Sequence, residues 1–137
     1  YTINDTGSVL GLATDGQRFY PVLWDASGTP AFIPTLDDAA RDINNIGWIV
    51  GCSYLSGIGQ PTIWDENGDV FTLPLLQGDT GGVAYAISNN GLIVGSSGSA
   101  SGRKHAVLWT PVPEPSSLAA LALGLAPLAA AGLRKKR

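Results

Sequence analysis

One pattern recurs three times in this chain and limits what it can fold into. Ile43-Asn44-Asn45-Ile46-Gly47-Trp48-Ile49-Val50-Gly51 is followed, thirteen residues after Gly51, by Trp64. Ile3-Asn4-Asp5-Thr6-Gly7-Ser8-Val9-Leu10-Gly11 leads in the same way to Trp24, and Ile87-Ser88-Asn89-Asn90-Gly91-Leu92-Ile93-Val94-Gly95 leads to Trp109. The copies are offset by 40 and 44 residues. Periods of this length mark arrays in which each unit is one supersecondary piece that buries its apolar face only by stacking on its neighbours.

Within a unit the signals are those of short strands and tight turns. Asn4 to Gly7 reads as a turn, because Asn and Asp side chains bond their own backbone two residues on and Gly supplies positive φ. Val9 to Leu12 reads as a strand apolar on both faces, Phe19 to Trp24 as a second, and Pro30 to Leu36 as a third. Pro34 favours an edge position there, since proline cannot donate to a ladder. The second copy gives strands over Trp48–Ser53, Thr62–Trp64 and Val70–Leu75, with Asn67-Gly68 as a hairpin signal. The third gives Leu92–Ser96 and His105–Trp109. Ala39 to Asn44 and Val83 to Ser88, between copies, add a fourth strand. Four short strands per unit predict an all-β fold of about three four-stranded, β-propeller-like units. Three units are too few for a closed ring of roughly four to eight, so a partial propeller is expected. No sustained 3.6-residue apolar period occurs in residues 1–111, and no helix is expected there.

Composition agrees with a turn-rich β chain: 18 Gly and 9 Pro among 137 residues, with only 14% charged. There is no Met, and Tyr1 stands two residues before the motif, so the chain reads as the C-terminal piece of a longer one. Residues 1–112 carry four basic and ten acidic groups, a net −6. That excess excludes the basic face that nucleic-acid binding needs. Cys52 is the single cysteine, so no intramolecular disulfide forms.

Asn-x-x-Gly-x-(Ile/Val)-(Val/Leu)-Gly followed by His105-Ala106-Val107-Leu108-Trp109 resembles the HAF extracellular repeats of bacteria, with Val in place of Phe. Tyr20-Pro21-Val22-Leu23-Trp24 and Gln60-Pro61-Thr62-Ile63-Trp64 are looser copies. The resemblance covers residues 1–111 and implies exported proteins built of propeller-like repeats.

Residues 112–137 form a second region. Val112-Pro113-Glu114-Pro115 ends the repeats, and its prolines hold an extended linker. Residues 116–133 are eighteen in number, thirteen of them Ala or Leu and none charged. As a helix they span about 27 Å, against a bilayer core of about 30 Å, so a C-terminal transmembrane helix is expected. Arg134-Lys135-Lys136-Arg137 then closes the chain with a basic cluster that stays on the cytoplasmic side. In this order the three parts resemble the PEP-CTERM sorting signal of Gram-negative bacteria. That resemblance implies an exosortase as processing partner, an inner-membrane-anchored precursor facing the periplasm, cleavage near Pro113-Glu114-Pro115, and a final place at the cell surface or outside the cell, often beside exopolysaccharide.

Nothing in the repeats has the spacing of a catalytic, cofactor or metal site. His105 is the only histidine and aligns with Tyr20 and Gln60, which reads as a polar strand end rather than a general base. Cys52 aligns with Leu12 and Ser96 and reads as a small strand residue. Asp65-Glu66-Asn67-Gly68-Asp69 lacks the Gly and Glu positions of a calcium loop and reads as a hairpin turn. Asp37, Asp38, Arg41 and Asp42 read as a solvated turn. Trp24, Trp64 and Trp109 read as packing between units, the sharper reading being a row of exposed rings for sugar stacking. Trp48 breaks the repeat pattern and is the best candidate for a surface contact. The sequence therefore predicts a non-enzymatic cell-envelope or extracellular protein, structural or binding. The alternative is an exported hydrolase or lyase of propeller type whose active site lies in a missing N-terminal part.

Overall fold

The computed structural model describes residues 1–33, 39–54 and 57–111, together with the backbone of 133–136. Twelve strands form three antiparallel sheets of four, each in chain order. Sheet 1 comprises β1 (Thr2–Ile3), β2 (Val9–Thr14), β3 (Phe19–Trp24) and β4 (Pro30–Phe32). Sheet 2 comprises β5 (Ala39–Ile43), β6 (Ile49–Ser53), β7 (Gln60–Trp64) and β8 (Val70–Thr72). Sheet 3 comprises β9 (Gly81–Ile87), β10 (Ile93–Gly98), β11 (Lys104–Pro111) and β12 (Leu133–Lys136). The all-β expectation and the three four-stranded units hold, and no closed propeller is formed among the described residues.

The stretches read between copies open the following sheet: β5 and β9 are first strands, and β1 is their two-residue counterpart. The third strands are shorter than the sequence implied. β4 and β8 end at Phe32 and Thr72, and one further bond each continues them, from Ile33 N–H to Pro21 O and from Leu73 N–H to Pro61 O. Those carbonyls explain how Pro21 and Pro61 sit inside central strands. N–H and C=O of one strand residue face the same side, so each missing N–H faces the outer strand just where its ladder ends. Pro34 falls outside the described residues.

The helix expected over 116–133 also falls outside them, except for Leu133, which opens a strand instead. Among the described residues no helix is long and apolar enough to cross a membrane. β12 pairs with β11 through Leu108↔Lys136, Trp109↔Lys135, Thr110↔Arg134 and Pro111↔Leu133. It takes the outer place that β4 and β8 hold in their sheets.

The core lies between sheets. Leu10, Ile43, Ile49 and Trp64 cluster between sheets 1 and 2. Val50, Ile63, Leu73, Ile87, Ile93 and Trp109 belong to the cluster between sheets 2 and 3. The repeated glycine exists because the backbone there meets its neighbour. A Cβ on Gly51 would stand 2.0 Å from Ala39 O, and one on Gly95 would stand 2.1 Å from Val83 O and 2.6 Å from the Trp109 ring. Both glycines lie beside a β-bulge on the first strand, which crowds the backbone and re-aims one side chain.

Candidate functional site

The Asn-x-x-Gly turns of the first two units and the Ser88-x-x-Gly91 turn of the third sit in register and link the sheets. Within a turn, Asn4 Oδ1 accepts from Ser8 N–H and Asn44 Oδ1 from Trp48 N–H, at 2.8 and 2.9 Å. The reach is four residues, longer than the two expected from Asx-turn chemistry. Gly7, Gly47 and Gly91 follow with φ of 85–87°, where a Cβ would be strained. The amide nitrogens point across units: Asn4 Nδ2 donates to Asn44 O at 2.9 Å, and Asn44 Nδ2 to Ser88 O at 3.2 Å. A second rail runs beside it, with Asp5 N–H donating to Asn45 Oδ1 and Asn45 N–H to Asn89 Oδ1. The recurrence of Asn was plain in the sequence, but its role between units needed the register.

Asp42 and Arg41 lie on β5, not in the solvated turn expected; Asp37 and Asp38 fall outside the described residues. Asp42 bridges all three units. Its Oδ1 accepts from Thr2 Oγ1 at 3.1 Å and its Oδ2 from Ile87 N–H at 2.9 Å. Arg41 and Tyr85 are the extra residues of the two bulges, since pairing passes from Ala40 to Asp42 and from Ala84 to Ala86. The Arg41 guanidinium lies 5.8 Å from the centre of the Tyr85 ring. Tyr1 holds the same repeat position in sheet 1, so the first strands present a column of Tyr1, Arg41 and Tyr85, all exposed. Two open grooves lie between the sheets, the first lined in part by this column. One of about 370 Å³ between sheets 1 and 2 is lined by Tyr1, Leu12, Phe19 and Arg41. One of about 340 Å³ between sheets 2 and 3 is lined by Tyr54, Ile58, Thr80 and Lys104. Sequence reading missed this column. The 40- and 44-residue offsets align its members, but the bulges that carry Arg41 and Tyr85 have no signature in the sequence.

Trp64 and Trp109 are buried and Trp24 is half-buried, so the packing reading holds for the first two and the three do not form a row of exposed indoles. The Trp109 indole N–H donates to Pro74 O at 2.8 Å. Trp48 is half-buried, packs against the cluster between sheets 2 and 3, and donates its indole N–H to Glu66 Oε2. Cys52 is buried, with Sγ 3.5 Å from Gly82 O. His105 is exposed on β11 opposite Ser97. Asp65 is a turn residue whose Oδ1 accepts from Asn67 and Asp69 N–H at 2.9 Å. Asp25 does the same in sheet 1, accepting from Ser27 and Thr29 N–H. The recurrent Asp after Trp is therefore a hairpin cap. No His, Cys, Asp or Glu cluster with metal-binding geometry occurs among the described residues.

Val112, Pro113, Glu114, Pro115 and Arg137 lie outside the described residues, and Arg134, Lys135 and Lys136 are seen as the backbone of β12. The family model of the PEP-CTERM protein-sorting motif matches residues 111–137. No curated protein and no solved structure matched the chain, and the HAF-type character of the repeats gains no support. The motif supports an exported protein sorted by an exosortase, with a cell-envelope or surface destination.

Proposed function

We propose that this chain is a cell-envelope or extracellular β-repeat protein with a non-enzymatic, binding or structural role, sorted through its C-terminal signal and in contact with exopolysaccharide. The observation that carries the reading is the sorting motif at residues 111–137. In the precursor, residues 116–133 cross the inner membrane, Arg134 to Arg137 stay in the cytoplasm, and the repeats face the periplasm, where an exosortase reads Val112-Pro113-Glu114-Pro115. The test is the intact mass of the mature form from an exosortase-bearing host, beside a Glu114→Ala variant. The expected result is loss of the segment after Pro113-Glu114-Pro115, abolished in the variant. An uncleaved product in both overturns the sorting role.

The binding role is supported by the Tyr1, Arg41 and Tyr85 column. Aromatic faces stack on the apolar faces of sugar rings, and a guanidinium pairs with carboxylate or sulfate substituents. At roughly 1 kcal/mol for each such contact, a double Arg41→Ala, Tyr85→Ala variant weakens co-sedimentation with the host's exopolysaccharide about tenfold or more. Unchanged co-sedimentation excludes this face as the contact.

A further inference from the structure

The groove between sheets 2 and 3 has a wall made of bare backbone. Three glycines in its lining stand where a side chain would collide with a neighbour. A Cβ on Gly59 would lie 2.6 Å from Cys52 Sγ, one on Gly81 2.8 Å from Gly59 O, and one on Gly82 2.3 Å from Ser96 O. Two bonds tie the sheets together there, from Gly82 N–H to Gly59 O at 2.8 Å and from Gln60 Nε2 to Thr80 O at 2.9 Å. Tyr54, Ile58 and Lys104, all exposed, stand around this wall. The volume, about 340 Å³, is at the small end of the roughly 300–1,000 Å³ of ligand pockets, which pair an apolar lining with a few polar groups. Positive charge gathers here against the trend of an acidic body. Of the four basic side chains in residues 1–112, Lys104 lines the groove, and Arg103 closes the turn that begins at the lining residue Ser99. Tyr54 links the groove to the Arg41 and Tyr85 pair. Its hydroxyl is raised above the ordinary value, first by a hydrogen bond with the Cys52 thiol, while the Arg41 charge acts in the opposite sense. Among the described residues no Asp or Glu lines the groove. Asp79, next to Thr80 in the chain, accepts from Ser97 Oγ at 2.6 Å, and Asp42, next to Arg41, accepts from Thr2 and Ile87.

Resting on the exopolysaccharide contact proposed above, we propose that this groove is the subsite for an acidic sugar of that polymer, a pyranose bearing a carboxylate. The apolar face of the ring lies on Tyr54, the carboxylate pairs with the Lys104 ammonium, and Thr80 and Ser99 offer hydroxyls to those of the sugar. The open shape lets the polymer enter and leave on either side of the bound unit. An acidic peptide fits the charge but not the backbone. A peptide in extended form takes its affinity from a bare strand edge. Here that edge is occupied, because Gly82 N–H donates to Gly59 O and Gly82 O accepts from Cys52 Sγ. A ligand that needs side-chain rings and cations, and no strand partner, is the one the groove suits.

The test titrates the full-length chain with oligomannuronate and oligogalacturonate, and with the same oligomers after reduction of their carboxylates to alcohols, following the amide shifts of Gly81, Gly82 and Ser99 by NMR. The expected result is that at least one acidic oligomer binds about fivefold tighter than its reduced form and moves these amides. Lys104→Gln removes that preference and leaves the affinity for the reduced form unchanged. Tyr54→Ala weakens both forms about fivefold, and Tyr54→Phe, which keeps the ring, does not. Lys104 is exposed, so its variant keeps the wild-type thermal transition and carries the test even if Tyr54→Ala fails to fold. Equal affinities of the wild type and Lys104→Gln for the acidic oligomers, no shift of the groove amides with any oligomer, or displacement of the acidic oligomers by polyglutamate at equal concentration each overturns the groove assignment. The co-sedimentation with host exopolysaccharide described above separates the two failures. A wild type that sediments with the polymer but fails here loses the groove alone, and one that does not sediment loses the exopolysaccharide contact as well.

Discussion

Asp15 shows how much of this fold is written in single side chains. Its carboxylate closes the β2–β3 hairpin by accepting from Arg18 N–H, Gln17 N–H and the Tyr20 hydroxyl, each at 2.8 Å. The Arg18 bond acts most, then the Gln17 and Tyr20 bonds, and together they hold the carboxyl at about 2, below the ordinary value of about 4. The sign follows from linkage. The folded state binds its proton less readily than the unfolded chain, so the stabilisation is fully present above about pH 4 and is lost as pH falls through about 2. Carboxyl-carbon NMR titration is expected to place Asp15 near 2, and Tyr20→Phe to move it part of the way back. Titration at the ordinary value would show that these bonds do not persist in solution. Asp25 is lowered in the same direction, first by the Ser27 hydroxyl and then by Thr29 N–H.

Among the elements, strands and turns were legible because each has a local cause. Asn or Asp followed by Gly fixes the turns, and Val9, Ile49 and Ile93 begin strands directly after them. The register of Gly11 with Val22, Gly51 with Thr62 and Gly95 with Val107 then carries each Trp to the same place, two residues beyond the partner of the glycine. What stayed hidden depends on pairs forty or more residues apart. Arg41 looked like a solvated charge because a one-residue bulge has no local signature, and that bulge sets it against Tyr85. Asp42 looked like its partner in an acidic cluster, yet it accepts bonds from both neighbouring units. The third strands looked longer than they are because Ile33 and Leu73 continue the apolar pattern beyond the last paired residues. The sorting signal, a linear motif read by another protein, needed no fold to be visible.

For the whole molecule, one segment has two incompatible places. Arg134, Lys135 and Lys136 form most of β12, paired with β11 on sheet 3. In the precursor proposed above, the same residues, as the basic end of the sorting signal, stay in the cytoplasm with the sheets across the membrane. A strand cannot be paired to a sheet on the other side of a bilayer, so the two arrangements are alternatives. Their energies are comparable. A few strand hydrogen bonds at roughly 1 kcal/mol each set a scale of a few kcal/mol, and six leucines in hydrocarbon at roughly −0.5 kcal/mol each set a similar one. In that proposal the membrane selects between them, and removal of the tail at the proposed cleavage would leave β11 as an outer edge. Hydrogen exchange on the full chain without membrane is expected to protect those amides of Leu108 to Thr110 that face β12. A chain ending at Pro115 is expected to exchange them at least tenfold faster, with β6 and β7 unchanged. Equal exchange in the two chains would mean that β12 does not form in solution. Faster exchange on adding lipid vesicles to the full chain would show the tail leaving the sheet for the bilayer. In the proposed cleaved form the outer edge of sheet 3 is an unpaired strand edge.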